Sequence, residues 1–146
     1  MTADELAEEL DHGSGLVGVS GRTSDVRELL RMQANGDERA ILALDLFVRR
    51  AAECVAAAST ALPAIDAIVF TGGIGENAAG LRARIVARLG SIGVAPIAEE
   101  SVTEDAVLAR LSPVPTPGSS PAVLRIVARE DLVVAREAAR IVGAGS

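Results

Sequence analysis

Hydrophobic and polar positions along the chain switch between helical and strand-like patterns in an order that predicts an α/β domain. Residues 2–10 (TADELAEEL) read as an acidic amphipathic helix, ended by a Gly/Ser break at DHGSG. A short apolar piece over 16–19 follows, closed by Ser20-Gly21. The next helix is expected over 24–34, with Asp25 and Glu28 three apart near its start in the manner of a capping box. Asn35-Gly36 supplies its C-terminal stop. Residues 37–62 are strongly helical and unusually apolar, with Asp45, Arg49 and Glu53 recurring every fourth position as one charged stripe. The remaining circumference predicts a largely buried helix, left at Pro63.

Residues 65–70 (IDAIVF) have the profile of a strand in a sheet covered on both faces. They run into the glycine-rich stretch Thr71 to Asn77, and a helix is expected over 78–89 with Arg82, Arg84 and Arg88 on its wetter faces. A further short strand is expected at 91–95, a Pro/Ser-rich loop at 112–121, a strand at 122–128 and a terminal helix at 130–142. No internal repeat is visible. The 146 residues fit a single domain.

Composition narrows the chemistry. The chain is 49% hydrophobic but has only two Phe and no Trp or Tyr, so its core is built from Ala, Val, Leu and Ile. All 14 basic side chains are Arg, which excludes a Walker-type phosphate loop and Schiff-base catalysis, both of which need Lys. An anion clamp here must use Arg or backbone N–H groups. A formal charge of −6 without a basic face argues against nucleic acid as a partner. No apolar run approaches the roughly 20 residues of a membrane span, and no basic-then-apolar leader opens the chain, so a cytoplasmic protein is expected. Cys54, the single cysteine, lies in the long apolar helix and reads as a buried thiol. His12 has no second His to share a metal with and receives no role.

Two segments carry candidate chemistry. The glycines of 72–75, at the end of a strand, allow torsions that side chains forbid and let backbone approach a ligand; a tight strand-to-helix turn needs the same residues. By spacing alone, Gly73-Ile-Gly75-Glu-Asn-Ala78 also satisfies the loose dinucleotide pattern G-x-G-x-x-A, with Glu99 and Glu100 about where a ribose-binding acid is expected. Asp25 and Arg27 read either as helix-start chemistry or as a ligand contact.

The residues themselves say more. Asp66-Ala-Ile-Val-Phe-Thr-Gly-Gly-Ile-Gly-Glu-Asn77 resembles the adenine-nucleotide signature of acetate and propionate kinases. Ser14-Gly-Leu-Val-Gly-Val-Ser-Gly-Arg-Thr-Ser-Asp-Val-Arg27 resembles a second signature of that family, in the matching order and at the matching separation. The resemblance extends more loosely to the C-terminus. It implies part of the C-terminal domain of the actin/sugar kinase/Hsp70-like (ribonuclease H-like) fold, in which two related α/β domains flank a cleft. It implies the transfer of phosphate from ATP to acetate or propionate, with Mg²⁺. By this resemblance Asp25, Val26 and Arg27, together with Gly73, Ile74, Gly75, Glu76 and Asn77, contact ADP or ATP. Family members carry Thr-x-Glu-Glu-Leu before the last helix, the first Glu being associated with Mg²⁺. This chain reads Ala128-Arg-Glu130-Asp131-Leu132, which makes Glu130 the metal candidate, although two acids at a helix start also suit its dipole.

The family's opening Asn-x-Gly-Ser-Ser-Ser segment, its catalytic His motifs and its upstream arginines have no counterpart among these residues. The expectation is a nucleotide half-site that makes negligible acyl phosphate alone. Apolar surface that the N-terminal kinase domain or a homodimer partner covers is expected to be exposed. A non-catalytic nucleotide-binding or dimerisation module is the alternative, and a dinucleotide-binding domain is a further one.

Overall fold

The computed structural model describes residues 1–97, 107–112 and 120–143. Two aspartates set the starts of the main helices. Asp25 Oδ1 accepts from the Arg27 N–H (2.8 Å) and caps α3 (Val26–Ala34); Asp37 Oδ1 accepts from the Ala40 N–H (2.9 Å) and caps α4 (Glu38–Ser59). Along α4, Ala40, Ala43, Leu44, Val48 and Ala52 form one buried stripe at spacings of three and four. On this stripe α4 meets α3, together with α2 (Gly15–Ser20) and α6 (Ala79–Ala87).

These neighbours cover one side only, which corrects the expectation of a largely buried helix. Leu42 is 52% exposed, Leu46 is 39% exposed, and Cys54 lies in the open rather than in the core. The N-terminal pattern is also more helical than expected. α1 (Ala3–Glu8) starts at a complete Thr2/Glu5 capping box. The chain then passes through a π-helical turn at Glu9–Gly13, where a break was expected, and the apolar piece after it becomes α2.

The sheet has three strands in the order β1-β3-β2. β1 (Ala67–Phe70) and β3 (Ala122–Ile126) are parallel, with Ala67 opposite Ala122 and Phe70 opposite Arg125. β2 (Leu108–Arg110), which the pattern did not predict, pairs antiparallel on the other edge of β3. Only one face of β1 is covered: Ile68 is buried while Val69 is 47% exposed, so the two-sided burial expected of it does not hold. Central β3 buries Ala122, Val123 and Arg125. Between β1 and α6 lies α5 (Gly72–Asn77), so the glycine-rich segment is itself a short helix rather than an open loop.

The strand expected at 91–95 is a 3₁₀ turn at Gly90–Ile92 instead. Leu89 and Val94 are both buried on either side of it, and the Val94 N–H donates back to the Leu89 carbonyl (3.3 Å), which reverses the chain. The terminal helix α7 (Glu130–Gly143) starts where expected, and its Val133, Val134, Ile141 and Val142 stay well exposed. Glu99, Glu100 and most of the Pro/Ser-rich loop lie outside the described residues. Among the described residues no helix is long and apolar enough to cross a membrane. One core joins α3, α4, α6 and the sheet through Leu29, Leu44, Val48, Leu81, Val86, Leu89 and Val123, each at most 1% exposed.

This asymmetry of α4 is testable by urea denaturation. Leu44→Ala should destabilise the chain by about 2–5 kcal/mol, whereas Leu42→Ala, two positions away on the same helix, should stay within about 0.5 kcal/mol. Equal effects would show that α4 is packed differently.

Candidate functional site

The start of α3 and the glycine helix α5 face each other across a cleft of about 560 Å³. That size suits a small-molecule site. Ser24, Asp25, Val26, Arg27 and Leu30 form one wall; Gly73, Ile74, Asn77 and Ala78 form the other. The two segments singled out in the sequence are therefore brought together, with α4 packed beneath α3 and α6.

The walls differ in character. Arg27 is the most exposed charge of the site, 87% accessible along its side chain, and its Nη2 lies 3.3 Å from Asp25 Oδ2. Asp25 thus both caps α3 and aims the guanidinium. The Arg27 side-chain bond, and then the Arg27 backbone N–H, hold the Asp25 carboxyl below the usual carboxylate range. Val26 is buried and serves the core from its place in the wall. Opposite, Ile74 is 39% exposed beside the cleft, and the Asn77 side-chain amide donates to the Gly73 carbonyl at 2.8 Å.

Gly75 and Glu76, both expected as nucleotide contacts, are absent from the cleft lining. A Cβ on Gly75 would stand 3.3 Å from the Phe70 carbonyl carbon, so glycine here lets α5 press against the end of β1. Gly72, with φ of +72°, makes the left-handed step from strand into helix that disfavours any other residue. Glu76 turns away from the cleft: one carboxylate oxygen accepts from the N–H of Gly72 and from the N–H of Ala128, each at 2.8 Å.

Arg82 corrects a second expectation. Placed by pattern on a wet face, it is only 6% exposed, and its Nη1 donates to the carbonyls of Gly75 (2.9 Å) and Glu76 (2.8 Å). Burial, and then the neighbouring Arg125 cation, lower its pKa. The helical pattern gives no sign of this, because the partners of Arg82 are backbone carbonyls of the preceding helix α5. Arg84 is only partly exposed and reaches Asp45 of α4, while Arg88 is exposed as expected.

Glu130 opens α7 and is exposed, and its neighbour Asp131 pairs with Arg129 (3.3 Å). Among the described residues no cluster of three His, Cys, Asp or Glu side chains is formed. This donor set does not make a cation cage by itself. It fits Mg²⁺ only where one carboxylate is joined by phosphate oxygens and water, a common arrangement for that ion.

Comparison with known proteins identifies the class first. The structure superimposes on an acetate kinase from Porphyromonas gingivalis with a TM-score of 0.79 at 28% identity, covering 97% of this chain and 35% of that one. It superimposes on a propionate kinase from Francisella tularensis with a TM-score of 0.78 at 33% identity, over 94% and 34% respectively. The fold is thus mixed α/β and matches about a third of each of those kinases. In sequence, residues 1–136 match the model of the acetokinase family, and the chain belongs to that family. Acetate kinase of Deinococcus radiodurans is 38% identical over 143 residues, and that of Chloroherpeton thalassium 39% over 140 residues. These alignments take in 98% and 95% of this chain but only 35% and 33% of the relatives, so the chain spans about a third of their length.

The Asp25–Arg27 pair gives the site a pH signature. A depressed native pKa contributes stability that is complete above about pH 4 and is lost as pH falls through the lowered native value. NMR titration should find the Asp25 carboxyl below the ordinary aspartate range in the wild type and moved upward in Arg27→Ala. An unchanged titration would remove Arg27 as the cause.

Proposed function

We propose that this chain is the nucleotide-binding portion of the C-terminal domain of an acetate kinase-type phosphotransferase, binding ADP or ATP in the cleft between α3 and α5. The observation that carries the reading is the convergence of Asp25–Arg27 with Gly73, Ile74 and Asn77 around one cavity of suitable size. An exposed guanidinium at the mouth can donate to phosphate oxygens or stack on a base, while Leu30 and Ile74 offer apolar surface for the ring. Asp25 restrains that guanidinium, reducing the conformational freedom lost on binding.

Phosphoryl transfer depends on positioning and on neutralising charge along the line between donor and acceptor. This chain supplies one wall of such an arrangement. Catalytic His, upstream arginines and the acyl pocket belong, by family resemblance, to the part outside this third of the relatives' length. The isolated chain is therefore catalytically incomplete in this reading, and its work is to hold the nucleotide, in the cytoplasm. Mg²⁺, when bound, would offset phosphate charge, with Glu130 as its one protein ligand. The exposed Leu42, Leu46 and Val69 suit contact with the N-terminal kinase domain or a homodimer partner.

A non-catalytic module with the same cleft differs only in failing to regain turnover when the remaining region is added. The dinucleotide reading is disfavoured because Gly75, which would approach the pyrophosphate, packs on Phe70 within a helix. Calorimetric titration should show ADP binding tighter than NAD by about tenfold or more, with no acyl phosphate formed from ATP and acetate. Equal binding of the two would overturn the nucleotide assignment. Robust turnover by the pure chain would overturn its incompleteness.

A further inference from the structure

α5 has two faces with different tasks. Gly73, Ile74 and Asn77 fall on one side and line the cleft. Glu76 falls on the other side, where a single carboxylate oxygen gathers the N–H of Gly72, at the start of α5, and the N–H of Ala128, 52 residues beyond Glu76 at the exit of β3. Both bonds are 2.8 Å, the length of a well-formed N–H···O hydrogen bond. Arg82 fastens the other end of the same helix through the Gly75 and Glu76 carbonyls. The cleft wall is thus held from behind by side chains that do not line the cleft.

We propose that Glu76 is a positioning residue, a strut through which occupancy of the cleft is felt at Ala128 and so at the segment that opens α7. This rests on the cleft being the nucleotide site. Glu76 contacts no ligand in this account. It fixes the first residue of α5, and with it the orientation of Ile74 and Asn77, by joining α5 to the segment that leaves the central strand of the sheet. Any movement of α5 that accompanies binding must stretch or shorten the bond to the Ala128 N–H. Ala128 precedes Glu130 by two residues, so the strut also links the wall of the cleft to the carboxylate that the family resemblance associates with Mg²⁺.

The role depends on an acceptor oxygen and not on charge, which separates it from direct contact with nucleotide or metal. The amide oxygen of Glu76→Gln can accept both N–H groups; Glu76→Ala removes both bonds. The full chain is examined as wild type, E76Q and E76A by amide hydrogen exchange with and without ADP, alongside calorimetric ADP titration. Without ligand, E76A should exchange faster at Gly72 and Ala128 together, while E76Q stays near wild type. With ADP, both amides should slow in wild type and E76Q; E76A should bind about tenfold more weakly and lose the response at Ala128. A wild-type response at Ala128 in E76A overturns the strut, as does unliganded exchange in E76A that matches wild type. Loss of affinity in E76Q as large as in E76A replaces it with a direct charge contact. Absence of ADP binding in wild type refutes the cleft assignment and the transmission with it, while unliganded exchange still reports whether the two bonds are formed.

Discussion

Burial of the α4 stripe is the constraint on which the rest of the molecule depends. Ala40, Ala43, Leu44, Val48 and Ala52 meet α2, α3 and α6 on one side, and three of these five are alanines. Small side chains allow close approach between helix axes, and Leu44 and Val48 fill what remains. The consequence is local to function. α3 and α6 are docked on one helix, so the capped start of α3 and the glycine helix preceding α6 must face each other. A chain with no Trp or Tyr and two Phe achieves this through many small apolar contacts rather than a few large ones.

Polar groups then refine what the core has placed. Asp25 caps α3 and restrains Arg27. Glu76 and Arg82 bind opposite ends of α5 through backbone groups, Glu76 reaching Gly72 and Ala128, Arg82 reaching Gly75 and Glu76. A six-residue helix has too few internal bonds to be stable alone. These external bonds give it a fixed orientation, and that orientation decides which of its residues meet the cleft. Membership of the acetokinase family is consistent with this division of labour.

The helix over 24–34 and the strands around 65–70 and 122–128 were legible because each rests on local chemistry: an aspartate at a helix start, a β-branched run, a glycine stop. The capping box expected of Asp25 and Glu28 does not form: Asp25 caps α3 through the Arg27 N–H, and its own N–H donates to Thr23 Oγ1. The two segments that resemble the family's signatures were legible as residue strings, and the structure brings them to opposite walls of one cleft. Other features depend on tertiary context. Arg82 looks solvated in a helical pattern and is buried because two carbonyls of α5 await its guanidinium. Cys54 looks buried and is exposed because α4 is covered on one side only. β2 is three residues long, too short to leave a periodic trace, and exists by pairing with β3. Glu76 reads as a ligand contact in the family string, whereas its carboxylate direction is set by an amide more than fifty residues away.

The central claim is that one cleft, bounded by both signatures, takes the adenine nucleotide. Backbone amide chemical shifts of the isotope-labelled chain, followed during ADP addition, test it most directly. The account predicts that Ser24–Arg27 and Gly73–Asn77 shift together along a single saturating curve, with exposed α1 unaffected. Shifts confined to one of the two segments, or centred elsewhere on the chain, would contradict it.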